Sequence, residues 1–165
     1  MTVLRDDVFR KIDDPQIRAY VVWEPILRSD SSEALPEATS IISSDSRAVQ
    51  YWDPGAGVGK SFSRSLELPL KTPAWDIYLL YSPDARWDSE PPQPAFWMHQ
   101  LGFPPWSDGA KRFGKQWLDG TKFREAVEKL IQSSQPSPHS ILMHDRSTLY
   151  LCPSAVGAAN ALVWS

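Results

Sequence analysis

The stretch AYVVWEPIL, residues 19–27, is a near-continuous run of apolar, β-forming residues, the pattern of a strand buried on both faces. Three further stretches read as strands: AVQYWD at 48–53, WDIYLLY at 75–81 and FWMHQLG at 96–102. Residues 33–43 and 58–66 carry apolar residues at helical spacing, and another amphipathic helix follows Thr121. Residues 1–18 suit an irregular or strand-like lead-in. This order predicts an α/β protein with a central mixed four-stranded sheet and helices on both faces, the third and fourth strands being antiparallel.

The element order resembles that of a thioredoxin-like domain, a three-layer sandwich. The resemblance covers about residues 17–132 and also rests on Thr72-Pro73 before the third strand and on the final amphipathic helix. WDIYLLY followed by FWMHQL is similar to uncharacterised bacterial proteins of this fold. The resemblance implies a cis Thr72–Pro73 bond that faces the loop after the first strand. It also implies a domain over 1–132, with 133–165 as a linker and C-terminal extension.

The chain departs from the thioredoxin-like pattern in its chemistry. The first strand of such a domain runs into a cysteine pair, whereas this one runs into Glu24-Pro25-Ile26, and the single cysteine is Cys152. Dithiol–disulfide exchange needs a nucleophilic and a resolving thiol. We therefore expect a redox-inactive protein that does not reduce insulin disulfides.

Two carboxylates beside tryptophans are the most suggestive candidates for a site. Glu24 follows Trp23 at the end of the first strand, and Asp76 follows Trp75 at the start of the third. In a thioredoxin-like sheet these ends lie side by side, and partly buried carboxyl groups there would have raised pKa values. The alternative is that each carboxylate only accepts a hydrogen bond from an indole or a backbone N–H. The candidate binding residues are Trp23, Glu24, Thr72, Pro73, Trp75 and Asp76.

The segment 53–61, DPGAGVGKS, lies between a strand and a helix and ends like a phosphate-binding loop. Pro54 stands where that motif has its first glycine, and proline supplies no N–H and no positive φ. We interpret the segment as a glycine-rich turn and helix start. ATP or GTP with magnesium should leave the melting temperature unchanged.

Metal and cofactor binding find little support in the sequence. His139, His144, Asp145 and Cys152, with His99 elsewhere, are of zinc-binding residue types but lack the spacing of a zinc site. Two histidines in a linker and an edge strand are more often solvated, and a buried Cys152 behaves as a small apolar residue. We expect no metal and no cofactor.

Charge, apolar content and cysteine count limit the kinds of partner and the cell compartment that we expect for this protein. The 165 residues carry a net charge of −3, which does not fit a reader of the nucleic-acid backbone. No apolar run approaches the length of a membrane span, and a single cysteine excludes an intramolecular disulfide. We expect a bacterial, cytoplasmic protein that binds neither nucleic acid nor membrane. The tryptophan- and proline-rich loops 82–94 and 103–106 should flank an exposed apolar patch for self-association, with a partner protein or a small apolar ligand as the alternative.

The sequence thus leaves two functions open. The first is a redox-inactive binding or interaction module that uses the tryptophan-rich strand edge or the aromatic loops. The alternative is an enzyme with a non-cysteine acid/base or transferase-like site near Glu24, Pro73 and Asp76. A shared fold does not transfer a reaction, so the resemblance does not choose between them.

Overall fold

The computed structural model describes residues 1–28, 30–69, 73–101, 108, 113–114 and 116–134, and the backbone of 160–164. Its strands are β1 (Ile17–Trp23), β2 (Ala48–Trp52), β3 (Ile77–Tyr81), β4 (Phe96–His99) and β5 (Asn160–Trp164). The α-helices of these ranges are α1 (Leu35–Ser40), α2 (Gly57–Ser65) and α3 (Gly120–Ser134). A 3₁₀ turn, Ser32–Ala34, leads into α1.

The pairing of the strands overturns the predicted fold class. β1 pairs with β2 in parallel, and β3 pairs with β4 antiparallel, but β1 and β3 do not pair with each other. The four predicted strands therefore form two separate pairs, and a thioredoxin-like sandwich around a central four-stranded mixed sheet is wrong. β5 lies between the pairs, parallel to β1 and antiparallel to β3, which gives the order β2-β1-β5-β3-β4.

The reason for this error is the range over which strand partners are chosen. β5 belongs to the stretch 133–165, which the sequence interpretation treated as a linker and extension. Ile17 pairs with Asn160, and Tyr78 pairs with Trp164. A local hydrophobic pattern indicates that a strand exists, but it does not indicate which distant strand lies beside it.

Two hydrophobic cores lie on opposite faces of the sheet, because successive side chains of a strand point to opposite sides. In β3, Tyr78 and Leu80 belong to one core, while Ile77, Leu79 and Tyr81 belong to the other. The first core includes Phe123 of α3, whose ring meets that of Tyr78 with the centroids 5.8 Å apart. The second core includes Phe62 of α2. All five residues of β3 are buried, as expected of a strand covered on both faces.

The N-terminal lead-in is helical rather than irregular or strand-like. Leu4–Phe9 forms a π-helical segment whose Leu4, Val8 and Phe9 are buried in the first core. Arg47 fixes the segment to β2, because its guanidinium donates to the carbonyls of Phe9 and Ile12 at 2.7 and 2.6 Å. The same guanidinium lies 4.4 Å from the centroid of the Phe9 ring, a cation–π contact.

The long loop between β3 and β4 carries one exposed tryptophan. Trp87 is 49 % exposed, yet its ring also packs against Tyr81 at 4.8 Å and against Phe62 at 6.1 Å between centroids. Phe103 and Trp106, the other aromatic residues predicted to flank an apolar patch, lie outside the described residues. None of the helices in the described residues is both long and apolar enough to cross a membrane.

A proline at Leu162 tests the central place of β5. It would remove a ladder hydrogen bond between two neighbouring strands, so we expect the free energy of unfolding to fall by about 3 kcal/mol or more. Urea denaturation of the full chain measures the loss, and amide exchange should show reduced protection in β1 and β3. A proline at the exposed loop residue Asp88 is the control. Equal stability of both variants would contradict the sheet order.

Candidate functional site

A cleft opens at the edge of the sheet where β1 and β2 end and β3 begins. We call it the strand-end cleft; its volume is about 260 Å³. Its lining comes from the end of β1 and the turn after it (residues 22–27), from the segment that leads into and includes α1 (residues 30–38), from Trp52, and from Trp75 and Asp76. Because β3 runs antiparallel to β5, and β5 parallel to β1, the start of β3 meets the end of β1 at one edge.

The predicted site residues are largely brought together, although by a different sheet. Trp23, Glu24, Trp75 and Asp76 all line the strand-end cleft. Pro73 lies directly before the fully buried Ala74 and does not line the cleft. Thr72, and with it the Thr72–Pro73 bond, lies outside the described residues.

Strand pairing and side-chain hydrogen bonds hold Trp23 and Trp52, which form one wall of the cleft, in place. Trp23 and Trp52 are register partners at the ends of β1 and β2. The indole Nε1 of Trp23 donates to Oε1 of Gln50 at 3.1 Å, and Nε2 of Gln50 donates to the carbonyl of Thr39 at 3.0 Å. These two hydrogen bonds join β1 to β2 and β2 to α1, so the position of this wall is set by the sheet and by α1.

Glu24 is the most perturbed carboxyl group of the cleft. It is only 8 % exposed, and its Oε1 accepts the N–H of Gly59 in α2 at 2.6 Å. Burial raises the pKa of Glu24 to about 7; the Gly59 N–H opposes this rise, and the nearby Asp53 adds to it. No donor from the described part of the chain reaches Oε2 of Glu24. The protonated form can satisfy Oε2 by donating its proton to the Asp53 carboxylate.

Asp53 is the ionised partner in this pair. Its Oδ2 accepts the Val58 N–H at 2.8 Å and its Oδ1 accepts the Gly55 N–H at 3.1 Å. The Val58 N–H is the largest cause that lowers the pKa of Asp53 below its usual range. The Gly55 N–H and the hydrogen bond from Glu24 lower it further. Two neighbouring carboxyl groups are thus pushed to opposite protonation states, an arrangement that supports proton exchange.

The glycine-rich loop uses its donors on the protein's own carboxylates. The N–H groups of Gly55 and Val58 bind Asp53, and that of Gly59 binds Glu24. Lys60, which would reach the outer phosphates in a phosphate-binding loop, donates its Nζ to the carbonyl of Gly55 at 2.8 Å. This geometry gives a physical account of why the loop need not bind phosphate.

Gly59 permits three segments to meet. Its carbonyl accepts the Ala74 N–H at 2.8 Å, which joins α2 to the segment before β3. A Cβ at this position would lie 2.3 Å from Oε2 of Glu24 and 2.6 Å from the carbonyl oxygen of Ala74. Glycine is therefore the residue that allows α2, the end of β1 and the start of β3 to approach this closely.

Asp76 enters the cleft from a strained backbone. Its φ is 51°, a left-handed conformation in which aspartate and asparagine are the commonest residues after glycine. Burial raises the pKa of Asp76, and the neighbouring charge of Asp30 adds to the rise while the amino group of Met1 opposes it. The strain and the burial fix one more carboxyl group beside the tryptophans.

Sequence reasoning missed Trp52, Asp53 and Gly59. A signal for the first two was present: Trp23-Glu24, Trp52-Asp53 and Trp75-Asp76 are three tryptophan–acid dipeptides at strand ends. Gly59 carried no such signal, because its role depends on a contact between segments that are distant in sequence.

A metal centre has no support among the described residues, which contain no cluster of three or more metal-binding side chains. His99 is fully buried in β4, where its Nδ1 accepts the Leu101 N–H at 3.1 Å and burial lowers its pKa. The rings of Trp97, Phe113 and Trp117 surround it. His139, His144, Asp145 and Cys152 lie outside the described residues.

Comparison with protein-family models, with curated protein sequences and with solved structures gives no match to this chain.

Replacing Glu24 by glutamine tests its raised pKa. The folded pKa of about 7 lies above the ordinary value of 4.5, so the unfolded chain loses this proton first as the pH rises. The free energy of unfolding should therefore fall between about pH 5 and pH 8, by at most about 3 kcal/mol from this group. Glutamine can keep both hydrogen bonds without titrating, so Glu24→Gln should lose that part of the fall.

Urea denaturation across this pH range compares the wild type with Glu24→Gln, and the exposed Glu37→Gln on α1 is the matched control. Subtracting one curve from another removes the contributions of Asp76 and His99, which all variants share, and leaves that of Glu24 together with the Asp53 carboxylate it is coupled to. Identical pH dependence in the wild type and in Glu24→Gln would show that Glu24 titrates normally.

Gly59→Ala tests the close approach of the three segments. The added methyl group meets a backbone oxygen as well as a side chain, and we expect a loss of about 1–3 kcal/mol in the free energy of unfolding. Gly57→Ala is the control on the same helix, because its Cβ would lie 3.5 Å from the nearest Asp53 oxygen. Chemical denaturation measures both. A Gly59→Ala variant as stable as Gly57→Ala would refute the packing argument.

Proposed function

We propose that this chain is a binding module and that the strand-end cleft is its ligand site. The observation that carries the proposal is the convergence of two tryptophan–acid dipeptides and a third tryptophan, from three separate segments, on one concave surface. The cleft is lined by Trp23-Glu24, by Trp75-Asp76 and by Trp52. Asp53 does not line it but interacts with the carboxyl group of Glu24. Concave, mostly apolar clefts with a few fixed polar groups are the usual form of small-molecule sites.

The size of the cleft supports a small occupant. A volume of about 260 Å³ lies just below the range of roughly 300–1,000 Å³ that is usual for ligand pockets. A small molecule, or a single side chain of a partner protein, is the appropriate size. The indole rings supply a large contact area that loses little conformational entropy on binding, because each side chain has only two rotatable torsions.

The contacts of Glu24 also support binding over catalysis. Its Oε1 is committed to the Gly59 N–H, and its other oxygen lies close to α2. The carboxyl group thus joins β1 to α2, which accounts for its burial without any reaction. Among the described residues of its lining, the strand-end cleft has no cysteine, histidine or lysine that could act as a nucleophile or orient one.

An acid/base enzyme is the second candidate, and one observation favours it. A carboxyl group with a pKa of about 7 beside an ionised carboxylate is suited to donating and accepting protons at neutral pH. Under this alternative Glu24 is the acid and Asp53 holds its proton in place. Exchange of Glu24 for glutamine should then abolish turnover, whereas a binding module should retain its ligand.

Other predictions from the sequence stay predictions. A contact with a second copy or a protein partner through the aromatic loops draws support from the half-exposed Trp87. The absence of redox activity rests on the missing cysteine pair, and a cytoplasmic location rests on the single cysteine.

Filling the cleft tests the proposed binding function. Ala38 lines the cleft from α1, so Ala38→Phe should occupy part of its volume. Ser40→Phe places the same ring on the exposed side of the same helix as the control. A fragment library screened by ligand-observed NMR against the full chain should give hits that Ala38→Phe weakens at least about tenfold and that Ser40→Phe leaves unchanged.

The outcomes decide whether the strand-end cleft is the ligand site. Hits that compete with one another, respond to Ala38→Phe and persist in Glu24→Gln support the binding module. Hits that bind the wild type and Ala38→Phe equally well would remove the strand-end cleft as the site. Thermal denaturation of each variant confirms that the fold is retained.

A further inference from the structure

The charged groups that line the strand-end cleft all have the same sign. Glu24, Asp30 and Asp76 are its ionisable side chains, and no lysine, arginine or histidine is among the described residues of its lining. The chain as a whole carries 17 basic against 20 acidic residues, so three carboxyl groups without a basic one is a local bias. The cleft is therefore an acidic recess in a nearly balanced protein.

Within the described part of the chain, two cations act on these carboxyl groups, and both lie outside the lining. Lys60 acts on Glu24, but its Nζ is bound to the carbonyl of Gly55 at 2.8 Å. The amino group of Met1 acts on Asp76, but it donates to the hydroxyl of Tyr78, and burial lowers its pKa. Neither cation forms a salt bridge with a carboxylate of the cleft. Among the described residues, Asp76 and Asp30 therefore have no basic side chain beside them in the lining.

The burial of these groups makes a bound counter-ion favourable. Glu24 contributes little charge to the recess at neutral pH, because its raised pKa lets it keep a proton that it shares with Asp53, so Asp76 and Asp30 are the carboxylates that a cation meets there. Asp30 adds its charge to Asp76, and its own Oδ2 accepts the Leu27 N–H. In a recess from which water is partly excluded, attraction between a cation and these carboxylates is stronger than it would be in bulk water.

The walls decide which kind of cation fits. Trp23, Trp52 and Trp75 line the recess, and the indole face is the strongest aromatic partner for a cation. Leu27 and Leu35 add aliphatic surface suited to the substituents of an organic cation. A divalent metal ion requires several oxygen ligands at short range, and the described residues contain no such cluster.

We propose that the strand-end cleft selects an organic cation, a protonated or quaternary amine with small apolar substituents. The carboxylates of the cleft supply the charge complementarity and the indole rings contact the alkyl groups around the nitrogen. This inference rests on the proposed binding function and names its ligand class. It goes beyond that function because a tryptophan-lined cleft alone would suit a neutral ligand equally well.

Three probes of one shape test the charge requirement on the full chain. Choline carries a quaternary nitrogen; dimethylbutanol has carbon in its place and is neutral; dimethylbutanoate has a similar body with an anionic end. Indole N–H signals of the wild type in heteronuclear NMR titrations report binding. We expect choline to bind about tenfold more tightly than dimethylbutanol, and dimethylbutanoate not to bind.

Asp76→Asn provides the matched variant, because asparagine tolerates the left-handed backbone and removes only the charge. It should reduce the preference for choline over dimethylbutanol several-fold, while Asp88→Asn in the exposed loop should leave the preference unchanged. The affinity for dimethylbutanol is an internal check, since a cleft that has merely lost its shape would lose both ligands.

The failures of the two proposals are distinguishable. If dimethylbutanol binds as well as choline, the cation inference falls and the binding function stands. The cation inference also falls if choline does not bind while other fragments bind in a manner sensitive to Ala38→Phe. If neither the three probes nor any fragment binds the strand-end cleft, both proposals fall.

Discussion

Backbone hydrogen bonds to β5 on both of its sides hold the sheet together, and the strand-end cleft depends on them. Without β5, β1 and β2 would form one small parallel unit, and β3 and β4 a separate hairpin. Pairing with β5 fixes the direction of β3 against β1, so that the end of one and the start of the other meet at one edge. Trp23-Glu24 and Trp75-Asp76 reach the same cleft for this reason.

The start of α2 joins the segments that meet at this edge. The backbone N–H groups at the beginning of a helix lack partners within the helix, and carboxylates are favourable there. Here Asp53 and Glu24 take these donors from two different strand ends, and Gly59 also binds the segment before β3. The packing of α2 against this edge buries Glu24, and the burial raises its pKa even though the Gly59 N–H opposes the rise. The stability of the edge and the chemistry of the site therefore both depend on how α2 meets the two strand ends.

The resemblance to a thioredoxin-like domain followed the order of elements along the chain, and the sheet departs from it. β1 to β4 all exist near their predicted positions, as do the helices that contain Leu35, Phe62 and Phe123. The prediction that β1 and β3 are adjacent strands is wrong, because β5 lies between them. Glu24 and Asp76 nevertheless line the same cleft. β5 separates β1 from β3 but keeps the end of β1 and the start of β3 at the same edge of the sheet.

The sequence by itself determined β1 to β4 and α1 to α3, because alternation and helical spacing are local properties of the chain, but it indicated neither the helical segment Leu4–Phe9 nor β5. It also indicated the tryptophan–acid pairs at 23–24 and 75–76 and the absence of a cysteine pair. The tertiary structure alone decided the partners of β5 and the close approach at Gly59. It also set the opposite pKa shifts of Glu24 and Asp53. Strand partners, close contacts and burial arise between residues distant in sequence, and a local pattern carries no record of them.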